Sequence, residues 1–291
     1  MEPLEVLFEV DGLPTTELPE DLVNLYGGSL GFREPCLYSN FVSTIDGVVA
    51  LPSVPRSNAL VADGSDGDRL VMGLLRAFSD AVLIGAGTLA SSPKGTWLPE
   101  KVYPPAREAF AELRCRLGRR ERPEIAILTG HGSIAPEHPL LASGAVVLTS
   151  DAGAIRLEGA LPEASTIVTL GEETIIDPRL AVEALLERGH RTILSESGPH
   201  THGGLLARSL VDELFLTVSP LLAGDRGHMS RYGLAEAADL MPPGLRGQLL
   251  SVRRHDEHVF LRYDLEGGLR AKSRRRRLSR RRRVDGTSDS A

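Results

Sequence analysis

The sequence predicts an α/β domain built on a largely parallel sheet, and three observations carry that prediction. Short β-rich runs alternate with helical stretches through most of the chain. Two apolar strands run directly into glycine-rich turns, Gly85-Ala86-Gly87-Thr88 and Ser197-Gly198-Pro199. The last two strands alternate apolar and polar residues around a short turn, as an antiparallel hairpin closing the sheet would. With 291 residues, 42% hydrophobic and 25% charged, the chain can bury a sizeable core. Its apolar runs are strand-sized, far below the roughly 20 residues that span a bilayer. An integral membrane protein is excluded, and without a basic, apolar leader at Met1 to Val10 a cytoplasmic location is expected.

Taken in order, Cys36 to Ile45 is the first expected core strand, ended by the turn pair Asp46-Gly47, and Pro52 to Gly67 is loop. Ser65, three residues before Asp68, has the spacing of a capping box, and Leu70, Val71, Leu74, Leu75 and Phe78 then recur at the helical period. Ala81 to Ile84 is a buried strand. Pro105 to Arg120 is a charged surface helix, followed by short strands at Ile125 to Leu128, Ala145 to Leu148 and Thr166 to Leu170. Asp177 as N-cap and Pro178 at the first helical position open a helix that Gly189 closes. Thr192 to Glu196 is a strand, His200 to Gly204 a turn, Leu205 to Leu210 a short helix and Leu214 to Leu222 a long strand. Gln248 to Arg254 and Val259 to Leu265 form the closing hairpin.

The formal net charge of -6 conceals a division. Residues 1–269 hold 23 Lys and Arg against 37 Asp and Glu, a net of -14, whereas residues 270–291 hold ten basic residues and two acids. The expected organisation is an extension over 1–34, one domain over 35–267 and a basic tail over 268–291 with no core of its own. An acidic body does not attract a phosphate backbone. Binding to nucleic acid or an acidic partner would rest on Arg274 to Arg277 and Arg280 to Arg283, whose alternative reading is a solvated extension.

Glycine turns at the carboxyl ends of parallel strands expose backbone N–H groups to ligands, although either turn here also serves as a tight connection. Neither has the spacing of a Walker loop or a dinucleotide fingerprint. Glu196 ends a buried strand before the second turn, where it is either a solvated acid or a carboxylate awaiting an N–H donor or arginine. Arg76 either faces solvent or holds an anion. The pairs His200, His202 and His255, His258 lack a third ligand, so no metal is expected, and Cys36 and Cys115 read as separate thiols. No GxSxG elbow supports a hydrolase.

In this order, SNFVSTIDGVVA, LLRAFSDAVLIGAGTLASSP and ILSESGPHTHGGLLARSLVDELFLTVSPLLAGD resemble the 5-amino-6-(5-phosphoribosylamino)uracil reductases of riboflavin biosynthesis, over roughly residues 35–265. The resemblance implies a dihydrofolate reductase-like fold, a mixed but mainly parallel sheet with helices on both faces, an NADPH cofactor, a small-molecule substrate and a homodimer. Carried over by position, Val42, Ser43 and Thr44 would approach the nicotinamide. Asp46 would shape the adjoining loop and, with Glu196, stand in a catalytic position. Gly85, Gly87, Thr88, Thr129 and Gly130 would bind the nucleotide. Gly198, Pro199, His200, Thr201, Gly203 and Gly204 would cradle the pyrophosphate, and Glu196 and Arg76 would hold the substrate. The chain departs from the family pattern in having Ala90-Ser91-Ser92-Pro93 for Ala-Asp-Asp-Pro, and in lacking the phosphate-binding arginine among Gly95 to Leu98. It lacks the HxE and PCxxC motifs of the fused deaminase. A divergent protein of the same fold with another substrate is the alternative.

Overall fold

A computed structural model describes residues 1–54, 57–225, 227 and 230–270. The expected tail interactions, at Arg274 to Arg277 and Arg280 to Arg283, lie outside these residues. The described chain forms β1 (Glu5–Glu9), α1 (Glu20–Tyr26), β2 (Cys36–Ser43), α2 (Ser57–Val61), α3 (Asp66–Phe78), β3 (Ala81–Gly85), α4 (Ala86–Ser91) and α5 (Pro99–Val102). There follow α6 (Arg107–Arg116), β4 (Glu124–Thr129), α7 (Pro139–Ala142), β5 (Val146–Thr149), α8 (Asp151–Leu157), β6 (Thr166–Thr169) and α9 (Pro178–Glu187). The last elements are β7 (Thr192–Ser195), α10 (Pro199–Ala207), β8 (Glu213–Val218), β9 (Gly247–His255) and β10 (His258–Leu265).

All ten strands join one sheet in the order β1-β9-β10-β8-β2-β7-β3-β4-β5-β6. From β8 to β6 every pairing is parallel, and the hairpin β9-β10 adds antiparallel strands at the β8 edge. The mixed, mainly parallel sheet expected from the sequence is therefore the observed one. Period-two alternation explains how it buries both faces. Val82 and Ile84 of β3 pack with Leu70, Leu74 and Leu75 of α3 in one core, and Leu83 between them packs with Leu185 of α9 and Leu205 of α10 in the other.

Helix α3 positions much of the site. The Ser65 hydroxyl accepts from the Asp68 N–H at 3.2 Å, closing half of the expected capping box. The other half is absent, because the Ser65 N–H donates to the Ala62 carbonyl at 3.1 Å and leaves the Asp68 carboxyl out of the cap. At the far end, the buried Arg114 donates through Nη1 to the carbonyls of Arg76, Ala77 and Ser79 at 2.8 to 3.2 Å. The Arg76 carbonyl also accepts from the Ser79 N–H at 3.2 Å, so the guanidinium and the C-cap residue together fix where α3 stops.

Several elements differ from the sequence-based expectation. Residues 1–34 are built into the same body: Leu4, Leu22, Tyr26 and Leu30 enter the core and β1 pairs with β9. Just past the expected start of the tail at 268, Leu269 is buried and Arg270 pairs with Asp212 at 3.1 Å. Helix α10 starts at Pro199, so His200 to Gly204 is helix rather than turn, and the helix ends at Ala207. Pro199 at its first position supplies the fixed φ that starts it. Part of the expected 52–67 loop is the short α2. Among the described residues no helix is long and apolar enough to cross a membrane.

Candidate active site

A cavity of about 380 Å³ opens at the carboxyl ends of β2, β3 and β7. This is where an open parallel sheet presents ligand sites, because the chain leaves each strand there and its N–H groups lose their ladder partners. Its walls include residues from α2 and α5, Ser57, Asn58, Lys101 and Val102, beside four further groups. Asn40, Phe41 and Val42 belong to β2; Asp68, Met72 and Arg76 lie four residues apart on one face of α3. Thr88 and the segment Ser91 to Trp97 follow β3, and Glu196 to Pro199 follows β7.

Arg76 and Glu196 form a bidentate ion pair on the wall, Nε to Oε1 at 2.9 Å and Nη2 to Oε2 at 2.6 Å. Each side chain is 10% exposed. The solvated readings of both residues are thus set aside, and each is the partner the other needed. Nearby, the Asn40 side-chain carbonyl is buried without a hydrogen-bond partner. A buried acceptor of that kind calls for a donor from a ligand or water.

The two glycine turns abut because β3 and β7 are neighbours. A Cβ on Gly85 would meet Thr201 Oγ1 at 3.4 Å, one on Gly198 would meet Thr88 Oγ1 at 3.5 Å, and one on Gly87 would meet nothing within 4 Å. Gly87 thus faces open space, while Gly85 and Gly198 each lie against a threonine hydroxyl of the other turn. Helix α10 begins at Gly198 without a side-chain cap, whereas α3, α8 and α9 are capped by Ser65, Ser150 and Asp177. Uncapped N–H groups at such an end attract anions.

The structure gathers only part of the expected set. Val42, Arg76, Thr88, Glu196, Gly198 and Pro199 line the cavity. Ser43, Thr44, Asp46, Gly85, Gly87, Thr129, Gly130, His200, Thr201, Gly203 and Gly204 are not among its lining residues. Asp46 instead braces two loops, accepting from Thr44 Oγ1 at 2.6 Å and from the N–H groups of Ala223 and Gly224 at 3.0 and 2.8 Å. These bonds, the Thr44 hydroxyl first, hold its carboxyl down to about 2, so it is ionised at neutral pH. Three glycines are required by packing: a Cβ would strike the carbonyl of Thr174 at Gly130, that of Glu236 at Gly203, and the Pro178 ring at Gly204. His202 is sealed against Phe41, and burial lowers its pKa to about 3. Among the described residues, no cluster of three or more His, Cys, Asp or Glu could hold a metal.

Sequence reasoning missed Asn40, Trp97, Lys101 and, above all, the carboxyl of Asp68 as parts of the wall. Asp68 is 2% exposed, and burial raises its pKa to about 6 against the lowering effect of a Thr217 hydrogen bond. Its spacing from Arg76, eight residues along one helix, was the available signal.

The family model of the RibD C-terminal domain matches residues 35–261. Among solved structures, the fold is similar to a pyrimidine reductase-like protein from Corynebacterium diphtheriae, with a TM-score of 0.62 and 21% identity over 85% of this chain and 95% of that one. It is also similar to RibD from Acinetobacter baumannii, with a TM-score of 0.56 and 19% identity over 80% of this chain and 58% of that one. A diaminohydroxyphosphoribosylaminopyrimidine deaminase/5-amino-6-(5-phosphoribosylamino)uracil reductase from Thermotoga maritima gives 0.55 and 17%, over 80% and 57%. The chain thus spans a little over half the length of these last two. At such identities the likeness establishes the fold. Comparison with curated proteins gave no match.

Proposed function

The chain belongs to the RibD C-terminal domain family, and from that premise we propose that it is an NADPH-dependent reductase acting on 5-amino-6-(5-phosphoribosylamino)uracil or a closely related ribosylamino-pyrimidine. The observation that carries the reading is the uncapped start of α10 at Gly198, opening into a cavity whose wall holds the Arg76–Glu196 pair. The residues present fit a dinucleotide. The open backbone at Gly87 leaves space for phosphate beside the Thr88 and Thr201 hydroxyls, and the orphaned Asn40 carbonyl could accept from a carboxamide. Ser91, Ser92 and Lys94 line the cavity beside Thr88 and supply the hydroxyls and charge that a ribose 2'-phosphate requires. Bound there, the nicotinamide would supply a hydride to an electrophilic carbon of the substrate.

In this reading the protein's residues align and enclose. Glu196, with both oxygens already held by Arg76, presents a fixed charge to the N–H groups of a pyrimidine, and Trp97 and Met72 limit water on the same wall. The homodimer and the cytoplasmic location expected from the resemblance belong to the same proposal, and light scattering of the purified protein tests the first. One observation favours a second reading, a changed substrate: the cavity offers Lys94 and Lys101, and no arginine from Gly95 to Leu98, to a substrate anion.

The test is titration with NADPH followed by turnover with the uracil substrate. Binding on the order of micromolar, with oxidation of the cofactor, is expected. No binding at millimolar NADPH would overturn the proposal, and binding without turnover would favour the changed substrate.

A further inference from the structure

The cavity wall holds one carboxyl to which the family resemblance gave no role. Asp68 sits in the first turn of α3, where a carboxylate ordinarily faces solvent and the helix dipole. Here it is 2% exposed and lines the cavity on the same helix face as Met72 and Arg76. Its carboxyl is not spent on the helix cap, since the Ser65 N–H is taken by the Ala62 carbonyl. Among the described residues Asp68 makes no ion pair; the cation on its own helix face, Arg76, is committed to Glu196 through two hydrogen bonds. The charged and titratable groups facing it are Arg76 of α3, Glu196 after β7 and His258 of β10, with His255 of β9 packed on the adjacent Gly67. Thr217 of β8 hydrogen-bonds to its carboxyl.

We propose that Asp68 is the proton donor of this site, protonating the nitrogen of a substrate C=N bond as that bond is reduced. The inference rests on the reductase reading above. Reduction of an imine adds a hydride at carbon and breaks the π bond onto nitrogen, which must gain a proton to end as an amine. The new C–H bond takes its hydrogen from the reduced cofactor, and the new N–H bond takes its proton from the Asp68 carboxyl. Asp68 is left as carboxylate and recovers a proton from water at the cavity mouth. The other two carboxyls of the region cannot fill this role. Glu196 has both oxygens accepting from a guanidinium, and Asp46 is an ionised brace outside the cavity lining. Asp68, whose pKa burial brings up to about 6, retains a proton in part of the molecules near neutrality.

The experiment compares wild type with Asp68→Asn for NADPH affinity, turnover against pH and the infrared absorption of a protonated carboxyl. We expect unchanged cofactor affinity, a fall in kcat of about 10²- to 10⁴-fold, and loss of the decline in rate that wild type shows above about pH 6. The protonated-carboxyl band should titrate near that pH in wild type and be missing from Asp68→Asn. Asp68→Glu, which keeps an acid, should recover part of the turnover, and it carries the comparison if Asp68→Asn does not fold. Turnover of Asp68→Asn within about threefold of wild type with the same pH profile overturns the proposal, as does a wild-type carboxyl fully ionised throughout that range. Wild type that binds no NADPH removes the reductase reading and the proposal together, whereas normal binding with an indifferent Asp68→Asn removes the proposal alone.

Discussion

Two buried arginine–glutamate pairs in this molecule have nearly the same distances and different surroundings: Arg76 meets both oxygens of Glu196, whereas two nitrogens of Arg262 meet the single Oε2 of Glu213. Arg76 and Glu196 meet at 2.6 and 2.9 Å on the wall of the cavity, with each side chain 10% exposed. Arg262 and Glu213 meet at 2.7 and 2.8 Å on β10 and β8, 3% and 2% exposed. The second pair is fully enclosed: Arg262 also donates to the Gly31 carbonyl, lies over the rings of Phe32 and Phe215, and shares Glu213 with Arg270. The first pair has a cavity beside it, and among the described residues the guanidinium has no further partner. The same chemistry therefore closes a core in one place and leaves a charged, preorganised wall in the other. A buried pair is weak evidence of stability by itself; what lies beside it decides its use.

The largest expected effect breaks the enclosed pair. Glu213→Gln strands a guanidinium behind two aromatic rings and should cost about 3–5 kcal/mol, read by urea denaturation, whereas Glu196→Gln should cost less than about half of that because cavity water reaches Arg76. Equal losses would erase the distinction. Next is turnover: Glu196→Gln should lower kcat/KM roughly 100-fold, or about 2.7 kcal/mol, while Glu213→Gln, measured per folded molecule, stays within about twofold.

Asp68 sharpens the contrast as a buried carboxyl without a cation. Its native pKa of about 6 lies above the value of 3.8 for an unperturbed aspartate. Between those values the native state binds the proton more tightly than the unfolded state, so stability falls as pH rises through the window and levels off above it. Asp68→Asn should then melt like wild type near pH 4 and exceed it by on the order of 2 kcal/mol near pH 7.5, while losing activity. No gain at pH 7.5 would mean that water reaches the carboxyl. The smallest effect belongs to the helix that carries Arg76: Ser65→Ala removes the N-cap of α3 and should cost about 1 kcal/mol with the ion pair intact, seen as a drop in Tm.

Most of the central sheet was legible because its strands are buried on both faces. Ala81 to Ile84 and the start of β7 read as continuous apolar runs, and α9 carried its cap, its Pro178 and its closing Gly189 in plain view. Strand β1 was not legible. All five of its residues are exposed, and its partner lies more than two hundred residues away, so neither burial pattern nor local turn marks it. Helix α10 was read late because Gly203 and Gly204 look like turn residues. They are instead helical positions where the Glu236 carbonyl and the Pro178 ring come too close for any side chain. The candidate site was half legible for a related reason. Glu196 and Arg76 stood beside recognisable turns and strand ends, whereas the inward rotation of Asp68 depends on packing against β8 and β10, far along the chain.

The pairing of β1 with β9 sets the order in which the chain can finish folding. As a sheet edge, residues 5–9 have β9 as their only strand neighbour among the described residues, and that strand ends at His255. During synthesis at about 5–20 residues per second, the early segment waits on the order of tens of seconds for its partner to emerge. Val6, Leu7 and Phe8 remain available to other chains throughout that interval. A growing polypeptide that stalls before the hairpin would therefore carry an unpaired apolar strand that a holding chaperone or a second nascent chain can meet.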